Sequence, residues 1–220
     1  MATQTFSAYH TALTALDNTT MDQTADSTVV YDNSATTEKK LLLKYIGAGL
    51  HSLVMMAAGM KARTTNGATA YSAEKSTNKV MIDGLSFDAS TAQYAQFQIP
   101  LPKGFNSSGS ITATFQWSTA ATAGTGNVIW GIQMKYERDD DALDAAFGTA
   151  QTVTDGFLAD GDMHVTAATS AITPSGTYAA GSVLRVQVYR DAANGSDTYT
   201  QAAILESVKI NLPYSANTDD

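Results

Sequence analysis

Two stretches decide the fold class: Ser182-Val183-Leu184-Arg185-Val186-Gln187-Val188-Tyr189-Arg190 and Ala202-Ala203-Ile204-Leu205-Glu206-Ser207-Val208-Lys209-Ile210-Asn211-Leu212. In the first, Leu184, Val186 and Val188 alternate with Arg185, Gln187 and Tyr189. In the second, Ile204, Val208, Ile210 and Leu212 share a face with Glu206. Leu205, Ser207, Lys209 and Asn211 take the other face. A period of two places successive side chains on opposite sides of an extended backbone, one side buried and one wet, as in antiparallel sheet.

The same pattern runs back through the chain. Ser110 to Trp117 sets Ile111, Ala113, Phe115 and Trp117 against Thr112, Thr114 and Gln116. Asn127 to Tyr136 carries Val128, Trp130, Ile132 and Met134 on one face. Trp117 and Trp130 fall on apolar faces and read as core. Ser52–Ala57, Lys79–Phe87, Tyr94–Ile99 and Asp162–Thr169 are further strand-like runs, with Tyr94, Phe97 and Ile99 as candidates for burial. Turn signals separate them, among them Asn66-Gly67, Pro174-Ser175-Gly176 and Asn194-Gly195. One short helix is predicted after Asp139 or Asp140, with Ala142, Leu143, Ala146 and Phe147 as its apolar side and Gly148 as its stop. About eight strands and one short helix predict an all-β, antiparallel, jelly-roll-like β-sandwich.

Composition agrees. The 220 residues include 35 Ala, 30 Thr and 16 Gly but only 15% charged residues, which suits strands and small turns better than helical faces. The first 50 residues hold too few apolar groups for a core of their own. The chain therefore divides into an attachment and oligomerisation arm, 1–50, and a sandwich domain, 51–220. In the arm, a short amphipathic helix is predicted around Phe6 to Leu16, and Gly47-Ala48-Gly49 reads as a hinge. Its apolar residues Val29, Val30, Tyr31, Leu41, Leu42, Leu43 and Tyr45 are the candidate attachment and oligomer interface.

Several classes are excluded or disfavoured. No apolar run reaches the length of a membrane-spanning helix, and the first ten residues lack the layout of a signal peptide. There is no cysteine, hence no thiolate zinc site and no cysteine nucleophile. The formal charge of −8 speaks against nucleic acid. All of that charge lies in residues 111–220, with 5 basic and 13 acidic side chains, while residues 1–110 balance.

Catalytic signals are weak. His10, His51 and His164 lie far apart in sequence, and neither a Gly-x-Ser-x-Gly elbow nor a Gly-Lys-Ser/Thr phosphate loop occurs. The densest cluster is Glu137-Arg138-Asp139-Asp140-Asp141 with Asp144. It admits a helix cap, a calcium site through Asp139, Asp140 and Asp141, or paired glycosidase carboxylates, and the cap is the favoured reading. Asp155, Asp160 and Asp162 bracket Phe157 and Leu158 in a Gly-containing loop that reads as solvated. Asn18, Asn106 and Asn194 stand in Asn-x-Ser/Thr sequons, which imply no glycosylation without a secretory context. No cofactor and no enzymatic activity are expected.

The stretch Tyr94-Ala95-Gln96-Phe97-Gln98-Ile99-Pro100-Leu101-Pro102-Lys103 resembles a segment of a family of tailed-bacteriophage virion β-sandwich proteins. So do Phe115-Gln116-Trp117, Asn127-Val128-Ile129-Trp130 before the acidic turn, Phe147 to Asp155, Gly161 to Thr166, Val188 to Asp191 and Ala203 to Ile210, in that order. Separately, Val29 to Lys40 resembles attachment segments of phage fibre proteins. The resemblance implies a non-enzymatic virion structural protein, made in the bacterial host cytoplasm and found on the virion. A homotrimeric capsid decoration (cement) or short head-fibre protein bound to the major capsid protein is the leading form. The alternative is a tail-associated receptor-binding or adaptor protein that contacts other tail proteins and host surface glycan.

Overall fold

The computed structural model describes residues 49–120 and 124–215. Eleven strands run in order: β1 Gly49–Met56, β2 Lys61–Ala62, β3 Thr69–Glu74, β4 Met81–Phe87, β5 Gln93–Pro100, β6 Thr112–Thr119, β7 Asn127–Glu137, β8 Gln151–Gly156, β9 His164–Val165, β10 Val183–Arg190 and β11 Ala203–Tyr214. They form two antiparallel sheets. One has the order β3-β4-β11-β6-β9, with β1 also paired to β11, and the other has the order β2-β5-β10-β7-β8. The architecture is the all-β, jelly-roll-like sandwich that the alternation predicts.

The core lies between the two sheets. Phe115 and Trp117 of β6 meet Trp130, Ile132 and Met134 of β7, all fully buried. Phe87 sets its edge on Trp130 at 5.1 Å, and Phe115 stacks on Trp130 at 5.7 Å. Aromatic pairs at these separations add to the area term. In β10, Leu184, Val186 and Val188 are buried as the alternation predicts.

β11 corrects the sequence reading. Its register against β6 shifts between Leu205 and Ser207, a β-bulge at Glu206. The extra residue reverses the alternation. Leu205 pairs with Leu85 and Trp117 and joins the core, as do Val208, Ile210 and Leu212. Ile204 is thereby separated from the face it was predicted to share. Gly84 accommodates the bulge: a Cβ there would lie 2.1 Å from the Leu205 carbonyl oxygen.

The predicted helix after Asp139 is absent. The described residues contain no α-helix, only a single 3-10 turn at Ala57–Gly59. Asp140 takes φ +66°, a left-handed conformation that a helix start cannot contain. Asp141 instead turns its carboxylate back onto the Arg138 backbone N–H at 2.9 Å and side chain. Leu143, assigned to the helix's apolar side, is 74% exposed.

Three strands carried no sequence signal: β2, β3 and β8. Leu50, placed in the arm by sequence, is the second residue of β1. The predicted helix around Phe6 to Leu16 and the interface residues Val29, Val30, Tyr31, Leu41, Leu42, Leu43 and Tyr45 lie outside the described residues.

Candidate functional site

The outer face of the five-stranded sheet gathers the side chains best suited to bind something. Strand register fixes its rows. Tyr94 of β5 stands beside Tyr189 of β10, which stands beside Gly131 of β7. One row along, Lys61 of β2, Gln96, Gln187 and Gln133 align across four strands. In the next, Gln98 faces Arg185, which faces Lys135.

At the centre, the Tyr94 and Tyr189 rings stack with centroids 5.3 Å apart and 29° between planes. Both are half-buried. Gly131 makes room for the Tyr189 ring: a Cβ there would come within 2.2 Å of Tyr189 Cζ. Burial, with Asp191 and Tyr94 adding to it, pushes the Tyr189 hydroxyl above its ordinary range. Arg63 lays its guanidinium over Tyr94, 4.3 Å from the ring centroid. Beside the pair, Gln96 Nε2 donates to Gln187 Oε1 at 2.8 Å. Tyr94 corrects the sequence reading, which placed it in the core with Phe97 and Ile99. Its position in the strand has the opposite parity to theirs, and it faces outward.

At the far end of this face lies a charge network. Glu137, 8% exposed, accepts from Arg185 at 2.6 Å and from Lys135 at 2.7 Å. Lys135 also donates to the Leu143 carbonyl at 2.5 Å. Hydrogen bonds from Arg185 hold the Glu137 carboxyl below the usual carboxylate range against the opposing effect of burial, and Lys135 helps. These charges satisfy one another and act as a structural rim.

The sequence-predicted acids behave differently. Asp139 and Asp140 are exposed in a turn, and Asp141 is engaged by Arg138. The described residues bring no three His, Asp or Glu side chains together as a metal would need. Asp155 accepts from the Trp117 indole N–H at 2.8 Å, while Asp160 and Asp162 are exposed. His10 lies outside the described residues. His51 stacks on Tyr214 at one end of β11, and His164 stacks on Trp117, which pairs with Leu205 near the other. At about 3.3 Å per residue, these two histidines sit roughly 30 Å apart. His164 is fully buried, with Nε2 accepting from the Leu158 N–H at 2.9 Å and Nδ1 facing the Asp162 carbonyl at 3.1 Å. It pins the Phe157–Met163 loop.

Arg63, Tyr94 and the glutamine row carry no sequence motif, because they come from separate strands and meet only through register. The one available signal was the parity of Tyr94.

No protein-family model matches the chain, and no curated protein matches it. Among solved structures, it is similar to the isomalto-dextranase of Arthrobacter globiformis T6 complexed with panose, at 16% identity and TM-score 0.42. That match covers 72% of this chain but 23% of the isomalto-dextranase. It is also similar to the family 35 carbohydrate-binding module of Cellvibrio japonicus Abf62, at 11% identity and TM-score 0.35, covering 73% and 92% of the two chains. A family 35 carbohydrate-binding module from Clostridium thermocellum gives 10% identity and TM-score 0.35, covering 73% and 97%. Likenesses of this size carry no function from those proteins to this chain.

Proposed function

We propose that this chain is a non-catalytic β-sandwich that recognises carbohydrate through the outer face of its five-stranded sheet, as a virion protein that touches host surface glycan. The Tyr94–Tyr189 pair, flanked by Arg63 and the glutamine row, carries the reading. The exposed edges of the stacked rings offer apolar C–H surface and two hydroxyls to a saccharide laid across them. Planar amides supply a donor and an acceptor each, matched to vicinal hydroxyls. The virion assignment rests on the ordered resemblance of residues 80–212 to phage virion β-sandwich proteins. A glycan array of bacterial surface polysaccharides tests the reading. Binding is expected, and Tyr94→Ala is expected to weaken it at least tenfold, about 1.4 kcal/mol. No hit on the array, or hits that Tyr94→Ala leaves unchanged, would refute it.

A second reading, the homotrimeric capsid decoration, is favoured by β1. On its outer face Leu50, Val54 and Met56 are 63%, 52% and 56% exposed, and the strand carries no acidic, Lys or Arg side chain. An uncharged apolar strand face of this kind marks an assembly surface. Light scattering of the intact protein tests it: a trimer that Val54→Lys dissociates supports the reading, and a monomer refutes it. Immunogold labelling of virions separates shell from tail.

A further inference from the structure

We infer that the saccharide held on this face carries a negative charge, read by Arg63 and Lys61. The inference rests on the carbohydrate reading above and adds the ligand's charge class.

Lys61 and Arg63 stand two residues apart on the same outer face, where β2 joins the Tyr94–Tyr189 platform. Lys61 aligns with Gln96, and the Arg63 backbone N–H donates to the Tyr94 carbonyl at 3.2 Å. Among the described residues, neither side chain enters an ion pair. This sets them apart from the other cations of the face, since Arg185 and Lys135 share an ion pair with Glu137. Lys61 is exposed and Arg63 half-buried. Arg63 holds its guanidinium over the Tyr94 ring, and no carboxylate lies within ion-pair reach of its N–H fork among the described residues. That fork is the geometry that binds a carboxylate or sulfate bidentately.

The acids near the platform sharpen the point. Glu137 is occupied. Asp191 lies near Tyr189, on the side away from β2, and its carboxylate accepts from Asn194. Charge is therefore divided across the tyrosine pair, with two unpaired cations at the Tyr94 side and one acid at the Tyr189 side. A sugar laid across the ring edges is oriented by that division, its anionic substituent over β2 and its neutral hydroxyls toward Gln133. The shared chemistry is an anionic group on a pyranose, either a uronate carboxylate or a sulfate ester.

The test uses the full chain and two matched pairs of polymers, read by isothermal titration at low salt. Polygalacturonate is compared with its fully methyl-esterified form, and dextran sulfate with dextran. The expected result is at least tenfold tighter binding of the charged member of one pair. Arg63→Gln is expected to bring it to within about threefold of the neutral member, with Lys61→Gln intermediate. Lys79→Gln, a cation paired with Glu74 on the other sheet, serves as control and is expected to change nothing. The pair that shows the difference identifies carboxylate or sulfate. Equal binding of charged and neutral members in both pairs, or charged binding that Lys79→Gln weakens as much as Arg63→Gln, overturns the inference while the carbohydrate reading stands. Absence of binding to all four polymers and to every member of the glycan array overturns both.

Discussion

Arg190 and Asp197 form the most exposed-to-failure contact in the sandwich, since both side chains are fully buried. The pair is bidentate, with Nε to Oδ2 at 3.0 Å and Nη2 to Oδ1 at 2.7 Å. The remaining donors of Arg190 reach the Gln201 carbonyl at 2.7 Å and the Tyr199 carbonyl at 2.5 Å. Asp197 also accepts from the Ile129 N–H at 3.0 Å. Asp197→Ala leaves the buried guanidinium without its counter-charge and removes the acceptor for Ile129. Uncompensated burial of this kind costs about 3–5 kcal/mol. For a domain of this size that lowers Tm by roughly 10 °C. Arg190→Met leaves the carboxylate stranded and is expected to cost a similar amount. The double variant Arg190→Met/Asp197→Leu removes both charges, and is expected to be closer to the parent than the sum of the singles by about 2 kcal/mol or more. Urea unfolding followed by tryptophan fluorescence measures all three, because both tryptophans, Trp117 and Trp130, are buried. Single variants that each cost under about 1 kcal/mol, or a coupling energy near zero, would refute the claim that the pair is one interdependent unit.

Three further outcomes follow from the same geometry. Gly131→Ala is expected to push the Tyr189 ring aside, because the clash is with the far end of a side chain; stability should change by about 1 kcal/mol or less while glycan affinity falls, as paired urea and binding titrations will show. Glu137 has its folded carboxyl held below its ordinary value of 4.5, so its contribution is present above that pH and lost as pH falls through the lower folded value. Glu137→Gln should therefore flatten the acid limb of a stability–pH curve below about 4.5. Tyr136 runs the other way: burial raises its hydroxyl from 10.0 to about 12, so its stabilisation holds below 10 and is lost as pH climbs toward 12. Tyr136→Phe should remove that alkaline loss, measured by thermal melts at pH 9 to 12.

The parts of the fold legible in sequence are those where period two decides both faces. β6, β7 and β10 alternate without interruption, and their predicted inward residues are buried. Alternation misplaces Ile204 in β11 because it is a parity argument, and a single bulged residue at Glu206 inverts parity for the rest of the strand. In the acidic run Asp139–Asp141, capping composition and a tight acidic turn look alike. A single Arg138–Asp141 clamp decides between them. β3 and β8 are edge strands of small and polar residues, Thr69–Glu74 and Gln151–Gly156, with no apolar stripe to announce them. The candidate site was least legible of all. Tyr94, Arg63 and Tyr189 span more than a hundred residues of sequence and become neighbours only through the β2–β5–β10 register.

β11 sits between β4 and β1 on one side and β6 on the other, so the six-stranded sheet has no centre until this strand arrives. During synthesis Ala203 emerges about 150 residues after Met56. At roughly 5–20 residues per second, β1 waits on the order of 10–30 s for its partner. Over that interval the backbone N–H and C=O groups of β1 lack the ladder partners that β11 supplies in the finished sheet. The yield of intact protein is therefore expected to respond to chaperone supply and to slow codons before Ala203.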